Sequence, residues 1–288
     1  MSDLAVRSLP FYLRDDGRLE CETDYSLVRH FAKICGGPEW RKALLSAFTC
    51  YFDASGTQHD QVALAVGGFM STAERWLEFE TEWKRRLAKD GLEYFHRKEI
   101  RPERHPGLLD DLAKIIGDYA MRKFGMVVRV RELHRLVSKS ILNKWHLDAY
   151  SYAGRACAAH VRLWAMENHL RSMPRIVYAT GDAGRNQLEK RLRIDGINGV
   201  AFESPWDQEN RKTGMIDPGA IPLQAADLFA YELFNPTRIL EESKQPADKD
   251  LLSDVWYILD KIEGEAQITS VDNFDQFEKR IRQFFSQG

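Results

Sequence analysis

The chain has 288 residues, and 41 Lys and Arg stand against 43 Asp and Glu, a formal charge of −2. That balance excludes a global basic field, so a nucleic-acid partner would have to be met by a local patch. The chain's length suffices for one large α/β domain with elaborations, or two small ones, and a hydrophobic fraction of 44% supports a sizeable core. No apolar stretch approaches the roughly 20 residues needed to span a bilayer. The mixed charges of residues 1–18 leave no apolar core for a secretory signal. Cys21, Cys35, Cys50 and Cys157 form no CxxC. Cys50 and Cys157 sit in apolar patterns and read as buried reduced thiols, which fits a reducing, cytoplasmic setting.

Residues 1–45 read as an N-terminal extension, with a helix over Tyr25 to Ile34 that stops at Gly36-Gly37-Pro38. The apolar run Phe48-Thr49-Cys50-Tyr51-Phe52 predicts a first strand over 47–53, closed by Asp53 and stopped by Ser55-Gly56. A turn over 55–60 leads into a second strand over 62–69, a hairpin signal. Ser71 and Glu74 have capping-box spacing before a helix that turns Trp76, Phe79, Trp83 and Leu87 inward. Glu80–Lys84 and Glu82–Arg86 read as i,i+4 pairs on its wet side. A helix over 108–124, a strand over 125–130, a long helix over 146–170 and a strand over 176–179 follow. That strand ends in Thr180-Gly181-Asp182. A short basic helix over 187–192 and a strand over 200–202 precede an apolar helix around Asp227, expected to stop at Asn235-Pro236. Helices over 249–262 and 274–285 complete the chain. The alternation predicts an α/β sheet covered by helices, mixed because it opens with a hairpin. The expected domains are the 1–45 extension, a 46–236 core and a 237–288 C-terminal helical elaboration.

Two acids stand out. Asp53 closes a buried strand, and Asp227 sits in an otherwise apolar helix. A buried carboxylate is costly unless a cation, hydrogen bonds or a metal ion compensates it. Two such acids far apart in sequence predict one shared site.

The residues also carry a resemblance. Tyr51-Phe52-Asp53-Ala54-Ser55-Gly56 comes first, then Val66-Gly67-Gly68-Phe69 before a Trp-containing helix, then Phe95-His96. Gly181-Asp182 follows a strand, and Leu223-Gln224-Ala225-Ala226-Asp227-Leu228-Phe229-Ala230-Tyr231-Glu232 comes last. Over roughly Leu45 to Glu232 this order resembles the DUF3800 family, whose hallmark strand reads Asp-Glu-Ser-Gly and whose last motif reads Leu-Gln-x-Ala-Asp. The resemblance implies an RNase H-like mixed sheet, acids that bind Mg²⁺ or Mn²⁺, and phosphodiester hydrolysis. Ala54 stands where the hallmark has Glu, and Ala179 and Thr180 stand where an acid can precede Gly-Asp.

On this reading Asp53, Asp182 and Asp227 are the metal ligands, Glu99 is a fourth, and His96 ligates, contacts phosphate or moves a proton. Ser55, Lys98, Arg185, Arg211 and Lys212 are the substrate-binding candidates. Each has a plainer alternative. Asp53 and Asp182 suit turns, Asp227 suits an arginine pair, Glu99 suits solvent, and His96 suits ordinary packing. No GxxxxGK[ST], GxSxG, HExxH or GxGxxG with its proper context occurs. The sequence therefore predicts a metal-dependent nuclease or phosphodiesterase acting on DNA or RNA. The alternative is a catalytically degenerate RNase H-like module that binds nucleic acid or a protein partner, as a defence or toxin component. An oligomer through Phe274, Phe277, Phe284 and Phe285 stays open, and no membrane partner is expected.

Overall fold

A computed structural model describes residues 11–13, 19–21, 48–57, 62–136, 148–170, 172–197, 199–209, 216–243 and 252–268. Within the first 45 residues, β1 (Phe11–Leu13) and β2 (Leu19–Cys21) pair antiparallel. The expected helices over 25–34 and 274–285 lie outside the described residues, as do Arg211 and Lys212.

The main sheet begins with β3 (Phe48–Ser55) and β4 (Ala63–Thr72), the antiparallel hairpin expected from the sequence. Helix α1 (Ala73–Lys89) follows, then α2 (Leu108–Tyr119) and β5 (Arg122–Arg129). Next come α3 (Val130–Leu136), α4 (Ala149–Glu167) and β6 (Arg175–Ala179). The chain continues through α5 (Arg185–Ile194), β7 (Val200–Glu203) and a two-residue ribbon of β8 (Gln208–Glu209) and β9 (Ile216–Asp217). Helix α6 (Pro222–Ser243), α7 (Asp254–Leu259) and β10 (Gly264–Ile268) close it. The sheet order is β10-β5-β4-β3-β6-β7. Strand β4 runs antiparallel to both neighbours, whereas β6 and β7 run parallel to β3. The result is an α/β fold, a mixed six-stranded sheet flanked by helices.

Alternation along the strands separates two cores. Tyr51, Ala65, Phe69, Val127 and Val177 face α1, α2, α6 and α7. Cys50, Phe52, Val66, Met126 and Tyr178 face α4 and α5. Helix α1 buries Trp76, Phe79, Trp83 and Leu87 completely or nearly so, as their spacing predicts. Cys50 and Cys157 are buried free thiols.

Several boundaries differ from expectation. The N-cap of α1 is Thr72, whose side chain accepts from the Arg75 N–H, while the Ser71 hydroxyl is buried and donates to the Tyr119 carbonyl at 2.7 Å. Glu80 is buried rather than on the wet side, and Arg86 bonds Asp111 and Asp90 while Glu82 bonds Arg85, not Arg86. Helix α2 stops at Tyr119, because Lys123 is drawn into β5 and its ammonium donates to the Leu259 and Asp260 carbonyls at the end of α7. Helix α6 continues through Pro236 to Ser243. There the Thr237 hydroxyl donates back to the Leu233 carbonyl at 3.3 Å, and the buried Thr237 holds the next turn against the core. The part after 236 supplies a strand as well as a helix, since β10 pairs parallel to β5.

Candidate active site

Strands β3 and β6 run side by side from Thr49↔Arg175 to Phe52↔Tyr178. Asp53 is the next residue beyond that shared ladder. Strand β6 ends at Ala179, and Asp182 follows after Thr180 and Gly181, which turns the chain with φ +103°. Two parallel strands thus deliver two carboxylates at the same edge of the sheet. Asp53 shares the face of Tyr51, two residues before it, and that face lies under α6.

Helix α6 approaches this face closely because the sheet is bare beneath it. Gly67 is the β4 partner of Asp53, and Gly125 is the β5 partner of Gly67. A Cβ on Gly67 would meet Phe229 at 2.9 Å and Leu233 at 3.0 Å, and one on Gly125 would meet Leu233 at 2.6 Å. Those contacts seat α6 and bring Asp227 beside Asp53.

Asp227 and Gln224, one turn apart on α6, also hold the segment 95–97. Gln224 accepts from the Phe95 N–H and the Trp83 indole N–H, both at 2.9 Å, and donates to the Pro205 carbonyl at 2.7 Å. Asp227 Oδ2 accepts from the Arg97 N–H at 2.6 Å. The Arg97 guanidinium lies over the Tyr231 ring at 4.3 Å, with Nε 3.7 Å from the buried Glu232. Glu232 in turn accepts from the Ser253 hydroxyl, the N-cap of α7.

The three aspartates feel one another. Burial pushes Asp53 well above the usual carboxylate range, and the charges of Asp227 and Asp182 push it further, against a hydrogen bond from the Ala54 N–H. Burial takes Asp182 up to about 7, while Thr57 and Lys98 pull it down. Burial also raises Asp227, opposed by the Arg97 N–H, His96, Lys98 and Arg97. Asp182 Oδ2 is buried without a hydrogen-bond partner. Among the described residues no group of three or more His, Cys, Asp or Glu is arranged to hold a metal ion. The acids therefore share a field without forming a closed ligand set.

The other candidates divide. Lys98 is exposed and its charge reaches all three aspartates. His96 acts on Asp227. Glu99 is turned elsewhere: its side chain is 57% exposed, accepts from the Tyr94 hydroxyl at 2.8 Å and lies 3.4 Å from His96 Nδ1. Ser55 is buried on the acid side of the sheet with an unpartnered hydroxyl. Arg185 starts α5 and lies 4.7 Å over the Phe202 ring. A pocket of about 540 Å³ lies over Asp182 and is lined by residues 181–187. A larger cavity of about 690 Å³ lies away from the acids, between α6, α7 and β10.

Sequence reasoning missed Tyr150, a buried phenol raised by burial and by Asp182 and Asp53. It also missed the tying role of Gln224, although the i,i+3 spacing to Asp227 puts both side chains on one face of α6.

No family model matches the chain, and no curated protein matches it in sequence. Solved structures similar to it include the Bst RNase HIII complex with Mn²⁺, at 10% identity and TM-score 0.42, covering 92% of this chain and 76% of that one. Aquifex aeolicus RNase H3 is similar at 13% identity and TM-score 0.38, covering 84% and 77%. RNase HII in the PCNA:RNase HII complex from Archaeoglobus fulgidus is similar at 16% and 0.38, covering 79% and 100%. At these identities and TM-scores no activity, substrate or metal transfers to this chain.

Proposed function

We propose that the chain is a nuclease or phosphodiesterase of the DUF3800 family that uses Mg²⁺ or Mn²⁺ at Asp53, Asp182 and Asp227. One observation carries this reading. Three carboxylates from two strand ends and a helix crowd together, and one of their oxygens, Asp182 Oδ2, is buried without a partner. Such crowding is unfavourable in itself and is relieved by a cation. An all-oxygen donor set on rigid elements suits Mg²⁺ or Mn²⁺. A bound divalent ion supplies charge neutralisation and an activated water for phosphodiester hydrolysis.

The chain's own residues do the rest. Asp53, Asp182 and Asp227 hold the ion. Lys98 brings an ammonium beside the acids to meet a phosphate oxygen. His96, next to Asp227, contacts phosphate or carries a proton. Arg97, braced by Tyr231 and Glu232, keeps the 95–98 segment against α6. Ser55 and Arg185 border the substrate path. The two buried free thiols fit a reducing, cytoplasmic setting, and no helix among the described residues is long and apolar enough to cross a membrane.

A second reading has its own observation. Lys98 sits beside all three acids, and the acids form no closed ligand set. An ammonium that replaces the metal would leave a non-catalytic nucleic-acid or protein-binding module. Calorimetry with Mn²⁺, run beside cleavage of labelled DNA and RNA panels with and without Mn²⁺, separates the two. The nuclease reading expects Mn²⁺ binding and EDTA-sensitive cleavage, both lost in Asp53→Asn. Neither binding nor cleavage in the unsubstituted chain would leave the module.

A further inference from the structure

Next to the acids lie two rings, Tyr94 and Trp206, that the hydrolytic chemistry does not use, and His96 joins them to the acids. The Tyr94 and Trp206 ring centroids are 5.7 Å apart with planes tilted by 49°. His96 meets Trp206 edge-on at 5.8 Å. Tyr94 is 41% exposed, and Trp206 is half-buried. Scattered exposed aromatics are ordinary, but these three are contiguous and fixed. The Tyr94 hydroxyl is tied to Glu99. The Trp206 backbone packs on Gly219, where a Cβ would meet it at 2.5 Å. The residues flanking both rings converge on one side chain, since Gln224 bonds both the Phe95 N–H and the Pro205 carbonyl. Gln224 is one turn from Asp227, and His96 links the rings to the acids by acting on Asp227. An aromatic face thus sits beside an acid cluster and a lysine, with no broad basic surface implied by the net charge of −2.

We propose that Tyr94 and Trp206 form a shelf on which an unpaired nucleobase stacks beside the acid site, so that the substrate class is single-stranded nucleic acid or an unpaired end. The proposal rests on the nuclease reading for the chemistry at the acids, and on ring geometry for the shelf. A duplex offers only base edges to a side chain, whereas an unpaired base offers its face. Stacking on a held ring needs no dense basic patch, because the base face contributes what additional phosphate contacts otherwise would.

The test uses the full chain carrying Asp53→Asn, so that binding is read without cleavage. Fluorescein-labelled 12-mers of dT and U, and a duplex of equal length, are titrated by anisotropy. Tyr94→Ala and Trp206→Ala are each expected to weaken single-strand binding by about 5- to 150-fold. Tyr94→Phe is expected to retain it, and duplex binding is expected to be weaker and unchanged by the substitutions. Tyr94 is exposed, so its variants keep the test valid even where Trp206→Ala fails to fold. Single-strand binding indifferent to Tyr94→Ala, or a preference for duplex, overturns the shelf. The shelf and the nuclease reading fail separately. Stacking-dependent binding without any Mn²⁺-dependent cleavage by the unsubstituted chain keeps the shelf and removes the nuclease. Cleavage of single strands at equal rate with Tyr94→Ala does the reverse.

Discussion

Two clusters of buried charge among the described residues lie on opposite sides of the sheet and are built on opposite plans. Behind the sheet, Arg155 and Arg191 both grip Asp195, at 2.7 and 2.6 Å, with all three side chains no more than 7% exposed. At the other side, Asp53, Asp182 and Asp227 crowd together against one exposed lysine. The first cluster has its opposite charges in place and joins α4 to α5. The second gathers like charges that raise one another's proton affinity. Matched buried charge locks elements together, whereas mismatched buried charge is retained at a cost that, on the proposed function, a cation offsets.

Substitutions at each cluster sharpen this contrast. The largest effect is expected from Asp53→Asn. Mn²⁺-dependent cleavage should fall by about 100-fold or more, the order felt when one electrostatic group leaves a water-poor site. Its melting temperature should hold or rise, because a repelling charge has gone. Activity and thermal melting, measured on the same preparation, check both halves. Asp195→Ala should behave in the opposite way. Leaving Arg155 and Arg191 buried without their carboxylate should cost about 3–5 kcal/mol in urea unfolding, while cleavage per folded molecule stays normal.

Gly67→Ala comes next. Its new methyl would press on Phe229, Leu233 and the Ala230 backbone, with an expected cost of about 1–3 kcal/mol. By lifting α6 it should also weaken Mn²⁺ affinity, which calorimetry would read. Gly117→Ala has open space inside α2, so it should leave Mn²⁺ affinity unchanged and raise stability by up to about 1 kcal/mol.

The smallest effect concerns pH in EDTA. Asp182 holds its proton up to about 7 in the folded chain, against 3.8 for an ordinary aspartate. Between those values the native state binds the extra proton, so stability is full below about 4 and falls as pH rises towards 7. Asp182→Asn should flatten that slope in pH-dependent melting. Saturating Mn²⁺ should restore stability more at pH 8 than at pH 5, since the ion competes with protons.

The acids were legible in the sequence because each breaks a local pattern. Asp53 ends an apolar run, and Asp227 interrupts an apolar helix. The strands from β3 to β7 were legible for a similar reason, since each is a short apolar run bounded by turn residues. What escaped depends on distant partners. Residues 122–124 extend a helical pattern locally, yet Lys123 serves the end of α7, more than 130 residues later. Strand β10 reads Gly-Glu-Ala-Gln-Ile and shows no run of apolar residues, because it lies at an edge and pairs on one side through its backbone. Pro236 looked like a stop because the local rule for proline is strong, and the packing of the next turn overrode it. Glu99 is a fourth ligand on the resemblance, and its sequence surroundings carry no sign of where its side chain goes. Its side chain bonds the Tyr94 hydroxyl and lies 3.4 Å from His96 Nδ1, a placement set by the packing of the 94–99 segment.

Gln224 has a consequence for which residue types its position admits. Its oxygen receives two N–H groups and its nitrogen faces a carbonyl, so both polarities are required within one planar group. Glutamate would set a negative oxygen against the Pro205 carbonyl, and methionine would strand two donors and an acceptor in the dark. Only a carboxamide satisfies the three neighbours at once, and the bond directions alone spell out the letter.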